Sequence, residues 1–209
     1  MKCTGPACST PRDETSALEE TMIFRSTEIP DCHTVELEKR EDERGFFARG
    51  WCSQEFQDHG LPDRFVQMNI SSNRRQHTLR GFHFQTAPYG EDKLLRCVRG
   101  AVYDVVLDLR PDSPTFMGHI TVELSAANYR MLLVPKGCAN AFLTLADGTE
   151  VTYLVSEFYT PTAECGVRWN DPAFDIKWPA EPAVISDKDH SWPDFVAKPI
   201  GFLMTADLE

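Results

Sequence analysis

The sequence predicts an all-β fold, a jelly-roll β-barrel with a few short flanking helices. Segments that alternate apolar and polar residues recur about every 8 to 12 residues between His77 and Val155, the pattern of half-buried strands. Turn-forming runs separate them, among them Gly100 and Arg110-Pro-Asp-Ser-Pro-Thr115. The sustained helix candidates lie at the flanks of this series.

Taken in order, residues 1–21 hold Pro, Ser, Thr and Glu with little apolar periodicity and read as a disordered or loosely attached leader. A single jelly-roll domain spans 22–200, and 201–209 form a C-terminal tail. Met22–Arg25 opens the first strand, and Thr34–Glu38 alternates in period two. Asp42-Glu-Arg44-Gly makes a charged turn, after which Phe46 and Phe47 begin a buried stretch. Trp51–Gly60 reads as a short helix with Ser53 as its N-cap. Phe65–Ile70 is a strand on which Gln67 and Asn69 share one face, either solvent or a polar pocket. Further strands follow at Lys93–Val98, Ala101–Leu109, His119–Leu124, Arg130–Val134, Asn140–Leu145 and Glu150–Val155. Asp104 and Asp108 share a strand face, with nearby arginines as their expected partners. After Pro161 a Pro- and Trp-rich segment drapes over the barrel and ends in a short helix.

The chain has 209 residues, 42% hydrophobic and 25% charged, enough for one domain with a core. A formal net charge of -11 argues against wrapping nucleic acid or lying on anionic lipid. It leaves room for a phosphorylated small molecule, because a few arginines set a local potential. Seven cysteines, an odd count with no CxxC pair, imply reduced thiols and a cytoplasmic location. No apolar run approaches the roughly 18 residues that would span a membrane, and no secretory h-region is visible.

The stretch richest in chemistry is His77-Thr-Leu-Arg80-Gly-Phe-His83-Phe-Gln85. It places a phosphate-grade cation and a titratable imidazole three residues apart on a strand. Strict alternation puts them on opposite faces; a bulge at Gly81 would re-aim the residues that follow. Taken alone, the stretch reads as readily as a strand with a satisfied histidine and a surface arginine.

His83-Phe-Gln85 and Pro135-Lys-Gly137-Cys-Ala-Asn140 resemble the two metal-ligand motifs of cupin barrels, but only one imidazole remains. Gln and Asn are poor ligands for transition metals. The expectation is therefore no catalytic metal and no cofactor, with His83 left to move protons.

A wider set of motifs stands in one order. These are Asp-Glu-Arg44-Gly-Phe-Phe, Leu-Arg80-Gly-Phe-His83-Phe-Gln, Lys93-Leu-Leu-Arg-Cys-Val-Arg-Gly and Val-Tyr-Asp104-Val-Val-Leu-Asp108-Leu-Arg110, followed by Ser113-Pro-Thr-Phe, Trp169-Asn-Asp-Pro, Trp178-Pro and Ser186-Asp-Lys-Asp189. Together, over about residues 25 to 195, they resemble the dTDP-4-dehydrorhamnose 3,5-epimerases, cupin-like homodimers that work without metal. The resemblance implies a nucleoside-diphospho-4-keto-6-deoxy sugar as substrate. It implies His83 as the base, Tyr153 as the acid, Asp189 as the carboxylate that orients His83, and Lys93 as the cation beside the developing enolate oxygen. It implies Arg44 and Arg80 as pyrophosphate ligands, with Gln67 and Asn69 near sugar or phosphate and Tyr159 near the nucleobase. The family usually has histidine where Asn140 stands and glycine at Ala141, so the pocket is altered beside the sugar ring and C3, C5 or both remain open as the epimerised carbon. A 3,4-ketoisomerase on the same substrate class and a non-catalytic nucleotide-sugar-binding cupin are the other readings.

Overall fold

The computed structural model describes residues 22–196; the leader at 1–21 and the tail at 201–209 lie outside the described residues. Two antiparallel sheets face each other. The first holds six strands: β1 (Met22–Ser26), β2 (His33–Leu37), β5 (Gln67–Asn73), β7 (Lys93–Arg99), β10 (Met131–Val134) and β12 (Thr149–Val155). Their spatial order is β1-β2-β10-β7-β12-β5. The second sheet runs β13-β6-β11-β8-β9, built from β6 (Leu79–Gln85), β8 (Ala101–Asp108), β9 (His119–Ser125), β11 (Cys138–Thr144) and β13 (Glu164–Gly166). The strands β3 (Arg40–Asp42) and β4 (Gly45–Phe47) pair only with each other. The helices are short: α1 (Ser53–Asp58) and α2 (Asp187–Ser191).

Period-two alternation explains three apolar layers. Inward residues of both sheets, including Leu95, Val102, Val106, Leu132, Phe142 and Val151, form the interior core. The outer face of the second sheet, with Phe82, Val105, Leu107 and Ala141, is covered by Val167, Phe174 and Trp178 from the Pro- and Trp-rich segment. The outer face of the first sheet, with Val35, Leu94 and Leu133, is covered by Phe56 and Leu61 of the α1 region. Each layer removes apolar surface worth about 25 cal/mol per Å² from water.

Several local expectations are corrected. Cys52, not Ser53, occupies the N-cap of α1, and no side chain caps that end. The helix is held instead by Glu55, whose buried carboxylate accepts from the Met22 amide and from Arg49. Phe46 and Phe47 are 36% and 73% exposed rather than buried: the β3–β4 hairpin joins neither sheet, and Phe46 packs edge-on against Tyr129. Asp108 does find an arginine: Arg110, Ser113 and Thr115 all donate to it, which explains the Arg-Pro-Asp-Ser-Pro-Thr run as a closed polar knot. Burial alone would raise the Asp108 carboxyl, and these donors bring it down to about 2. Among the described residues Asp104 pairs with no arginine; its partner is Asn140.

The bulge at Gly81 is present. His83 lies opposite Asn140, while Arg80 lies opposite Phe142, so the register slips by one residue between the two pairs. Gly81 has φ +112°, a conformation natural to glycine. The slip returns Arg80 and His83 to one face, and both line the same interior cavity.

Candidate active site

The mouth of the barrel holds a cavity of two lobes, about 420 and 320 Å³, that share His83, Lys93 and Tyr153. His83 comes from the second sheet; Lys93 (β7) and Tyr153 (β12) come from the first. Imidazole and phenol therefore face each other across the interior. A separate cavity, about 590 Å³, opens around Phe84, Leu109 and Phe195, and contains none of His83, Lys93, Tyr153 or Asp189. The chemistry sits in the more polar space.

His83 Nε2 lies 2.6 Å from Asp189 Oδ1. An ionised carboxylate only accepts, so Nε2 carries the proton and Nδ1 keeps its lone pair. Asp189 is 4% exposed. Burial would raise its carboxyl, but the His83 ring and the Gly81 amide outweigh that and hold it below the usual range. Its place is set by α2: Ser186 Oγ caps the helix by accepting from the Asp189 amide. The end of α2 is pressed against β13. A Cβ on Gly166 would fall 2.2 Å from the Trp192 ring, so only glycine lets that indole close over the strand opposite His83.

Lys93 is 8% exposed. Its Nζ donates to the His83 carbonyl at 3.0 Å and pairs with Glu91 at 3.1 Å. That leaves a fixed cation with one further donor on the cavity wall. Burial, then the nearby Glu91 carboxylate, pushes the Tyr153 phenol above its ordinary value. Tyr153 therefore holds its proton at neutral pH, the state a general acid needs.

Arg80 donates from Nε to Asn73 Oδ1 at 2.7 Å and faces no carboxylate partner among the described residues. Its guanidinium is available to an anion. Gln67 and Asn69 line the second lobe, as their shared strand face suggested. Gln67 Oε1 accepts from the Tyr159 amide, and the exposed Tyr159 hydroxyl donates to Glu164 at 2.6 Å. Asn140, 8% exposed, lines the first lobe directly opposite His83. Arg44 is not brought to the cavity: it sits on the exposed hairpin turn, paired with Asp42. Among the described residues no three His, Cys, Asp or Glu side chains gather as metal ligands, and no helix is long and apolar enough to cross a membrane.

The profile of the dTDP-4-dehydrorhamnose 3,5-epimerases matches residues 26–197. The chain belongs to the dTDP-4-dehydrorhamnose 3,5-epimerase family. It is 42% identical over 176 residues to the dTDP-4-dehydrorhamnose 3,5-epimerase of Shigella flexneri, covering 84% of this chain and 97% of that one. The crystal structure of the Bacillus anthracis dTDP-4-dehydrorhamnose 3,5-epimerase, with TDP and PPi bound, superposes with a TM-score of 0.81 at 41% identity, covering 83% of this chain and 99% of that one. A relative named for one carbon only, the dTDP-4-dehydrorhamnose 3-epimerase of Streptomyces niveus, is 37% identical over 169 residues, 80% of this chain and 81% of its own.

In this epimerase-family chain, His83, Lys93, Tyr153, Asp189, Arg80, Gln67, Asn69, Asn140 and Tyr159 assemble at or around one cavity, and Arg44 does not. Sequence reasoning missed Glu91 and Glu164 as cavity residues. The period-two rule could have found Glu91, two positions before Lys93. Nothing local marks Glu164, which enters through the short strand β13.

Proposed function

We propose that this protein is a nucleotide-sugar epimerase. It takes a nucleoside-diphospho-4-keto-6-deoxy sugar and inverts C3, C5 or both. The C4 ketone acidifies the neighbouring C–H bonds. His83 Nδ1 removes one proton, Lys93 holds the developing enolate oxygen, and Tyr153 returns a proton from the opposite face. Asp189 orients the ring and stabilises the imidazolium. Arg80 takes pyrophosphate charge, Gln67 and Asn69 contact sugar or phosphate, and Tyr159 packs near the nucleobase. The observation that carries this reading is the His83–Asp189 contact facing Tyr153 across the barrel, with the Lys93 cation beside both. Base, acid and a cation for the enolate are all side chains, so we propose that neither metal nor cofactor takes part. The test is product structure. Incubation with dTDP-4-keto-6-deoxyglucose should give sugar inverted next to an unmoved C4 ketone; a carbonyl moved to C3 would mean a ketoisomerase instead.

We further propose a cytoplasmic homodimer, where the cysteines Cys32, Cys52, Cys97, Cys138 and Cys165 stay unpaired. The exposed β3–β4 hairpin supports the dimer. It presents Arg44 and a 73% exposed Phe47 away from its own cavity, as a segment that completes a second copy's site would. Arg44→Ala and His83→Gln proteins should each be inactive, and co-refolding them should restore about a quarter of wild-type turnover. A mixture that stays inactive would show that Arg44 serves its own chain's site or none.

A further inference from the structure

The sheet that carries His83 contains, on the strand beside it, an arrangement that the proton chemistry does not use. Asn140 Nδ2 donates to Asp104 Oδ1 at 2.5 Å and lies 3.3 Å from the Val105 carbonyl. A backbone carbonyl only accepts, so the amide group has one orientation: its NH₂ faces the core. Both of its donors are occupied there. The amide oxygen makes no hydrogen bond within the described residues, is not sealed in the core, and belongs to a side chain that lines the cavity. Asp104 is wholly buried, and its second oxygen has no hydrogen-bond partner among the described residues. It anchors Asn140 but has no surface of its own to offer a ligand.

We infer that Asn140 is a specificity-determining residue whose amide oxygen accepts a hydrogen bond from the sugar hydroxyl at C3, beside the ketone. This rests on the epimerase reading. Asn140 lies directly opposite His83 in the β6–β11 ladder, so its side chain reaches the substrate beside the base. A carbonyl oxygen repels a developing enolate and favours a donor, which places the enolate on the Lys93 side and a hydroxyl on the Asn140 side. An acceptor that cannot turn also rejects a substrate without that hydroxyl, because the oxygen would be cut off from water with nothing to replace it. An amide does not titrate, so the acceptor itself does not change with pH.

The test compares a nucleoside-diphospho-4-keto-6-deoxy sugar with its 3-deoxy analogue, reading deuterium uptake at C3 in D₂O as kcat/KM. Wild-type enzyme should favour the hydroxylated sugar by about 5- to 150-fold. In Asn140→Ala the preference should fall to within about twofold, with the loss in KM for the hydroxylated sugar larger than the loss in kcat. Asn140→Ala strands Asp104 in the core. If it fails to fold, Asn140→Leu/Asp104→Leu, which removes both partners of the bond, carries the same comparison. A preference unchanged in either variant, or equal exchange of the two sugars by wild-type enzyme, overturns the role of Asn140 and leaves the epimerase reading intact. No exchange at C3 of either sugar by wild-type enzyme overturns the role of Asn140, and no exchange at C5 as well overturns both.

Discussion

Gly81→Ala is expected to cost about 3 kcal/mol or more of folding stability and to abolish turnover in whatever protein still folds. Two effects add. The residue sits at φ +112°, where an L side chain is strained by about 1–3 kcal/mol. The new Cβ would also lie 2.5 Å from the Asn140 carbonyl oxygen and 2.6 Å from Ala141 Cβ. Both belong to the adjoining strand β11, central in its sheet, so the neighbour has little room to give, and overpacking costs about 1–3 kcal/mol more. Equilibrium urea unfolding of the variant checks the first claim. The activity claim follows from the bulge. If the strand relaxes to regular pairing, Arg80 and His83 return to opposite faces and no longer share a cavity. A variant with a wild-type unfolding midpoint and wild-type turnover would mean that the bulge neither holds the fold nor aims His83.

The second large effect belongs to His83. His83→Gln should lower kcat by about 10²- to 10⁴-fold, the usual contribution of a positioned general base. Glutamine is chosen because its amide nitrogen reaches the place of Nε2. It can still donate to Asp189, so the buried carboxylate keeps a partner and the fold is preserved. What disappears is the lone pair at Nδ1. Affinity for dTDP should stay within about twofold, because Arg80, Gln67 and Asn69 are untouched. A parallel collapse of dTDP binding would place His83 among the groups that hold the nucleotide instead.

How far the sequence reveals this site depends on the range of the forces involved. The strands and their faces follow from period-two alternation, a local rule. Gln67 and Asn69 were therefore legible as neighbours, and the Gly81 bulge as a possibility. The pairing of His83 with Asp189 spans 106 residues. No local pattern joins them; only the ordered motifs of the family resemblance did. The Asp104–Asn140 pair was legible in neither way. Spacing showed Asp104 sharing a face with Asp108, and elementary electrostatics suggested an arginine for each. Asp108 faces Arg110 two residues on, whereas Asp104 points into a core where the available donor is the amide on β11. Arg44 fails for a related reason: the family resemblance implies a substrate ligand, but the hairpin that carries it pairs with neither sheet and lies away from its own cavity. The exposure of Phe47 is the same effect, an aromatic whose burial the sequence implies and the single chain does not provide.

The measurement that bears most directly on the central claim is deuterium wash-in at C3 and C5, followed by NMR, for wild-type enzyme and Tyr153→Phe with dTDP-4-keto-6-deoxyglucose in D₂O. With His83 and Tyr153 facing each other across the cavity in the proposed roles of base and acid, wild-type enzyme should incorporate deuterium at each carbon it inverts. Tyr153→Phe should still exchange that position through His83 but return deuterium to the original face, giving labelled, uninverted sugar. Inversion by wild-type enzyme without deuterium, or inversion by Tyr153→Phe at the wild-type rate, would contradict the two-sided proton transfer.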